Sequence, residues 1–340
     1  MNRKDFLSSV VPLAAVASAF TNDKKIDNHP ALRKIPRYLK PGDTIGIACP
    51  SGYISLEECQ SAINKMKEWG FNIQIGNTVG AKDFTFAGTD EERTKDLQQM
   101  LDNSSIKAIM LGRGGYGAVR IIDKIDFTQF EKKPKWIIGF SDATVFHVHI
   151  NHNYGIATIH SKMCNSFPDD FASAEQTQID SIDSIRQCLV GEKMKYERSP
   201  NENNRYGEGI GDLVGGNLSI IQDLTGSISN LHTEGKILFI EDVGEYLYKI
   251  DSMLWNLKRS RKLDRLKGLV IGRFRIKPDD PGEEFGKTIY DMVMEKVNKY
   301  HYPVCFDFPV GHVKENYALK CGMKYRLHVS EEGTVLKCIE

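Results

Sequence analysis

Ser141 lies in Ile138-Gly139-Phe140-Ser141-Asp142-Ala143-Thr144, an apolar run that breaks into Gly-x-Ser and at once turns helical. A sharp strand-to-helix turn lifts a serine hydroxyl out of a sheet and aims the first N–H groups of the helix at the same spot. That suits a nucleophile whose attack creates an oxyanion. The fifth position is Ala143 where the hydrolase elbow has Gly, and the segment alone leaves a second reading open: Ser141 or Asp142 as a helix N-cap. Gly112-Arg113-Gly114-Gly115-Tyr116-Gly117 follows one strand and precedes a helix, and formally satisfies G-x-G-x-x-G. It belongs to an interior strand rather than the first βα turn, and Asp123 and Asp126 come too early for a ribose contact. It reads as a nucleotide site, a structural turn, or a loop of bare backbone donors in an active site.

A serine nucleophile needs a base. His312 closes Phe308-Pro-Val-Gly-His312, a loop position at a sheet end, and Glu241 follows the apolar strand Lys236 to Ile240. A carboxylate there can orient an imidazole and stabilise its cation, although each residue alone also fits a structural role. His147, His149, His152 and His160 crowd together, but His147 and His149 point to different faces of a helix and no carboxylate sits at matching spacing. The seven cysteines are scattered, without a CxxC pair or Cys/His cluster, and read as small buried apolar residues. No metal or other cofactor is implied.

The elements that must position these residues alternate. Strands are expected at Ile45–Pro50, Phe71–Ile75, Ile106–Leu111 and Trp136–Ile138, and helices at Leu56–Trp69, Asp90–Leu101 and Ala118–Ile125. That alternation predicts a parallel sheet with helices on both faces. Residues 166–206 are polar and irregular apart from a helix near Thr177–Leu189, and read as a crossing between domains. Beyond them come strands at Lys236–Ile240, Gly268–Ile271, Val304–Phe308, Tyr325–Val329 and Val335–Ile339, with helices at Tyr246–Lys258 and Phe285–Lys299. The organisation expected is a leader and tether at 1–33, an α/β domain at 34–165, the connection at 166–206 and a β-rich domain at 207–340.

Lys plus Arg and Asp plus Glu number 45 each, so the net charge is zero and no polyanion-binding surface, hence no nucleic acid, is indicated. Arg3 and Lys4 precede an almost uncharged run to Phe20 that ends in Ala17-Ser18-Ala19. A basic start, a short apolar stretch and a small-x-small close describe a secretory signal over residues 1–19, too short to span a bilayer comfortably. Asn2-Arg-Lys-Asp-Phe-Leu7 looks like a degenerate twin-arginine version of one. The expectation is export to the periplasm, with contact to the membrane only through this signal; a cytoplasmic protein with a frayed N-terminus is the alternative.

Six motifs occur in order: Phe86-Ala-Gly-Thr-Asp90 with Glu92-Arg93, Arg113-Gly-Gly-Tyr-Gly117, Gly139-Phe-Ser-Asp142, Gly215-Gly-Asn-Leu218, Leu238-Phe-Ile-Glu-Asp242 and Gly311-His312. In them the chain, from about Ile45 to its C-terminus, resembles the LD-carboxypeptidase family, which also contains the microcin C self-immunity peptidases. The resemblance implies a flavodoxin-like domain carrying the serine and a smaller, β-rich, swivelling-barrel-like domain carrying Glu and His. It places the nucleophile at Ser141, its partners at Glu241 and His312, and the oxyanion donors on the backbone of Asp142 and Gly115. The substrate it suggests is a peptidoglycan-derived peptide, a murein tetrapeptide that would lose its terminal D-alanine, with Arg113, Gly114, Tyr116 and His160 as candidate substrate contacts. Arg113 could pair with the leaving carboxylate or be a surface arginine. Where many members have His-Gly-Pro, this chain has His160-Ser161-Lys162-Met163. Three rivals remain: the same triad acting on peptidyl- or aminoacyl-nucleotides, a non-catalytic binder of wall peptides, and a nucleotide-binding protein. The sequence leaves a homodimer open.

Overall fold

Parallel strands joined through helices have both faces of their sheet covered, so their sequences run apolar without alternation. In the computed structural model, which describes residues 33–340, the parallel strands are β1 (Thr44–Ala48), β2 (Asn72–Ile75), β3 (Ile106–Leu111), β4 (Trp136–Gly139) and β5 (Thr158–His160). Of these β1, β3 and β4 are mostly apolar, and all but the alternating β2 are mostly buried. The expected leader at 1–19 lies outside the described residues. The five strands are parallel in the order β2-β1-β3-β4-β5, which is the flavodoxin order. The edge strand β2 is largely exposed, whereas every residue of β4 and β5 is buried.

The second sheet is built from β6 (Lys195–Arg198), β7 (Gly207–Asn217), β8 (Ile237–Val243), β9 (Gly268–Arg275) and β10 (Val304–Cys305). After β11 (Leu319–Cys321), the closing hairpin β12 (Lys324–Ser330) and β13 (Gly333–Cys338) completes it, in the order β10-β9-β8-β7-β12-β13-β6. Strands β7 to β10 are parallel, while β12, β13 and β6 are antiparallel to their neighbours, giving a mixed, β-rich unit. The stretch 166–206 holds the helix Gln176–Val190 and then β6, an edge strand of this sheet. Strand β11 leaves the second half to pair antiparallel with β5 on the first sheet.

Local signals fix three of the helix starts. Ser55 with Glu58, Thr89 with Glu92 and Thr288 with Asp291 form reciprocal capping boxes. The last of these starts its helix at Ile289, so the helix expected over Phe285–Lys299 spans Ile289–Val297. The helix expected at Ala118–Ile125 ends at Ile121 and continues as a 3-10 turn to Lys124. Strand β7, absent from the sequence expectations, carries Gly209 and Gly215; a Cβ on either would overlap a carbonyl oxygen of the next strand or loop, Lys267 or Phe239.

Candidate active site

The loops that follow β1, β3 and β4 meet at the C-terminal edge of the parallel sheet, where α/β folds place their ligands. Ser141, one residue beyond Phe140 at the end of β4, has φ 61°. A non-glycine L-residue in the left-handed region costs about 1–2 kcal/mol, a strain of the kind held at functional sites. After it come a 3-10 turn, Ser141–Ala143, and the helix Thr144–Tyr154. His147, on that helix, donates from Nε2 to Gly139 O at 2.8 Å and props the end of β4 from below.

Asp142 fixes this elbow to its neighbours. Its buried Oδ2 accepts from Ser51 Oγ at 2.5 Å, in the loop after β1, and from the Ala118 N–H at 2.8 Å, after the Gly-rich loop. Burial raises its pKa above the usual carboxylate range, and these two hydrogen bonds and the Arg93 charge oppose the rise. Arg93 joins the same two loops from its own side: Nη1 donates to Pro50 O at 2.5 Å and Gly117 O at 3.1 Å, and Nη2 pairs with Asp90. The Gly52 N–H donates to Gly114 O at 3.0 Å. These ties press Gly114 against the serine, so that a Cβ on Gly114 would lie 3.1 Å from Ser141 Oγ. Among the described residues, neither the Gly115 N–H nor the Asp142 N–H takes part in a backbone hydrogen bond of the turns and loops.

The second sheet supplies a carboxylate and an imidazole. Glu241 lies in β8 where its register with β9 shifts, so that Gly272 and Arg273 together face it. Such an irregularity re-aims a side chain, and Glu241 is fully buried here with Oε2 2.7 Å from His312 Nδ1. A carboxylate accepts at that nitrogen, which places the imidazole proton on Nδ1 and leaves the Nε2 lone pair free. Gly311, at φ 128°, brings the backbone close enough that a Cβ there would stand 3.1 Å from Glu241 Oε2. Phe308 N–H bonds to Ile271 O at 3.0 Å and Arg273 N–H to Val310 O at 2.8 Å, so the segment leading to His312 is laid along β9. The sheets join beside the serine: the Asn217 N–H at the end of β7 donates to Thr144 Oγ1 at 3.1 Å.

Glu241 and His312, 71 positions apart, are thus hydrogen-bonded, and the His312 ring packs on Phe140, the residue before Ser141, with centroids 4.7 Å apart. Ser141 Oγ has no hydrogen bond to the imidazole in this structure; catalytic hydrogen bonds are often loose before substrate binds. Arg113 and Tyr116 are exposed on the Gly-rich loop, with Arg113 Nη1 3.3 Å from Tyr53 O and Tyr116 beside Phe86. His160 does not line a cleft. It is wholly buried in β5, its ring against Phe140 and Phe239, and burial, with His147 and His312 nearby, lowers its pKa well below the usual imidazole value. Strand β11, arriving from far along the chain, covers that position. The sequence alone does not single out Ser51, Arg93, Thr144 and Asn217 as site-builders, although Arg93 and Asn217 lie inside two of the six ordered motifs and Thr144 follows the serine.

A strained serine elbow beside a carboxylate–imidazole pair, at the C-terminal edge of a parallel sheet, is the arrangement of a serine hydrolase. Models of the LD-carboxypeptidase N-terminal and C-terminal domains match residues 45–161 and 210–327, and the chain belongs to the LD-carboxypeptidase family of serine peptidases. It is 30% identical over 304 residues to the "Probable murein peptide carboxypeptidase" of Bacillus subtilis, covering 89% of this chain and 94% of that protein. The microcin C7 self-immunity protein of Escherichia coli is 25% identical, over 88% of this chain and 93% of its own length. The crystal structure of muramoyltetrapeptide carboxypeptidase from Oxalobacter formigenes superposes with a TM-score of 0.78 at 26% identity, covering 87% of this chain and 99% of that one.

Proposed function

We propose that this chain is an exported peptidase that hydrolyses the L,D-amide bond of murein tetrapeptides and releases terminal D-alanine, with Ser141, His312 and Glu241 as its triad. His312 takes the Ser141 proton as Oγ attacks the carbonyl carbon, and Glu241 stabilises the imidazolium that forms. The N–H groups of Asp142 and Gly115 hold the oxyanion. The imidazolium then gives its proton to the leaving amine, and His312 activates the water that hydrolyses the acyl-enzyme. The observation that carries this reading is the Glu241–His312 hydrogen bond of 2.7 Å, formed across 71 positions and seated on the residue next to Ser141. Relatives named as murein peptide and muramoyltetrapeptide carboxypeptidases support the substrate. The test is D-alanine release from a murein tetrapeptide by the wild type and by Ser141→Ala; undiminished release by the variant refutes the mechanism.

The likeness to the microcin C7 self-immunity protein favours a second substrate for the same three residues, an aminoacyl- or peptidyl-nucleotide amide. Export, expected from residues 1–19, favours the wall peptide, because it would place the enzyme beside the wall. Offering both substrates to the enzyme and reading products by mass spectrometry separates the two. Cell fractionation tests export, and a protein confined to the cytoplasm overturns that part of the reading.

A further inference from the structure

Lys162 is 5% exposed, and its ammonium donates to Val313 O at 3.1 Å. Other buried lysines are better matched. Lys135 donates to Met100 O and Asn103 O, Lys262 to Leu231 O and Asn230 Oδ1, and Lys296 pairs with Asp251 and Glu295. Lys320 donates to Glu192 O and lies over the Tyr38 ring. Lys162 has one neutral acceptor for three N–H donors, and among the described residues no carboxylate forms an ion pair with it. A cation taken from water without a counter-ion is costly, and a buried group perturbed in this way is a candidate for a functional site. Burial alone lowers its pKa, to about 8.

Its position says which ligand. The preceding Ser161 N–H bonds to Gly139 O at 3.0 Å, at the foot of the serine elbow. The following Met163 reaches within 3.2 Å of a Cβ placed on Gly114, which itself abuts Ser141. On its other side the ammonium holds the carbonyl of Val313, the residue after His312. Lys162 therefore bridges the segments that carry the nucleophile and the base. In the peptidase reading, on which this inference rests, His312 protonates the leaving amine, so the departing residue stands on the His312 side. Its carboxylate is one carbon beyond that amine.

We propose that Lys162 is the receptor for the terminal carboxylate of the peptide substrate, the group that makes the enzyme a carboxypeptidase. The substrate carboxylate supplies the charge-assisted acceptor that the ammonium lacks. The exposed Arg113 then has no part in that recognition.

The experiment compares a murein tetrapeptide ending in D-alanine with the same peptide ending in D-alaninamide, using the full chain. The wild type is expected to prefer the acid by about 10- to 100-fold in kcat/KM, the range for a hydrogen-bonded charge. Lys162→Met, which keeps the apolar stem, loses that preference through a fall on the acid alone; Lys162→Arg restores part of it and Arg113→Gln keeps it. A preference retained by Lys162→Met, an equal fall on both peptides, or a preference lost in Arg113→Gln overturns the assignment. Lys162→Gln serves as a second variant if the Met form does not fold. A wild type inactive on both peptides overturns the peptidase reading itself, and the Lys162 proposal with it.

Discussion

Glu241→Gln preserves the shape of the site and removes one charge. Glu241 is fully buried, its Oε2 is bonded to His312 Nδ1 at 2.7 Å, and its Oε1 has no partner. A glutamine can place its oxygen at Nδ1 and its NH2 where Oε1 stood, so the neutral imidazole keeps its tautomer. The loss is felt when the ring becomes a cation. With the charge centres about 4 Å apart and an effective dielectric of about 20, the missing attraction is worth about 4 kcal/mol. That corresponds to about a 1000-fold fall in kcat. KM should move by less than about threefold, because the interaction grows only as the proton is transferred. The buried NH2 without an acceptor costs about 1–3 kcal/mol of stability, offset by removal of a buried charge, so the variant should still fold. The assay is initial-rate D-alanine release at saturating tetrapeptide, with thermal unfolding as the control for folding. A folded variant keeping kcat within about tenfold of wild type would show that Glu241 does not support His312 electrostatically.

Three further expectations come from neighbouring residues. Ser141 is held at φ 61°, so Ser141→Gly should unfold at a higher temperature than Ser141→Ala, by the equivalent of about 1 kcal/mol; equal midpoints in calorimetry would mean the elbow stores no strain. At Gly115 (φ 102°) a Cβ meets nothing nearer than Gly52 Cα at 3.5 Å, so Gly115→Ala should fold. The strained backbone re-aims its N–H, and a fall in kcat of about 100-fold with little change in KM is expected if that N–H is an oxyanion donor. The pKa of Asp242 is pushed up to about 6, chiefly by burial, with the Glu241 charge adding and the Ser219 and Val243 hydrogen bonds opposing. The folded state therefore binds its proton more tightly than the unfolded chain, and stability from this group is lost as pH rises from about 4 to about 6, by up to about 3 kcal/mol. Denaturant unfolding at both ends of that window should show a shallower loss in Asp242→Asn; an identical slope would exclude Asp242 as the source.

What could be read from the sequence follows one physical line. Ser141, Glu241 and His312 each stand where an apolar run meets a turn or a polar residue, and such junctions are local: the same few residues make the strand, end it and present the side chain. The parallel sheet was legible for the same reason, since β1, β3 and β4 are short, mostly apolar runs, with Lys107 the one charge among them, separated by helical periodicity. Strand β7 was not, because its glycines answer to the neighbouring backbone at Lys267 and Phe239 rather than to strand propensity. His160 was misplaced through a related limit. Strand β5 has only three residues, and its burial is completed by β11, some 160 positions later. The ties that shape the site are of this non-local kind too: Asp142 reads as an N-cap or an oxyanion donor until its carboxylate is seen gripping Ser51 and Ala118. Arg93 reads as one charge on an amphipathic helix until its guanidinium is found against Pro50 O and Gly117 O. The chemistry of the candidate site is carried by residues at strand ends, and its precision by buried polar groups whose partners lie in other motifs. Motif order along the chain could therefore point to the candidate residues, while the scaffold that aligns them needed the fold.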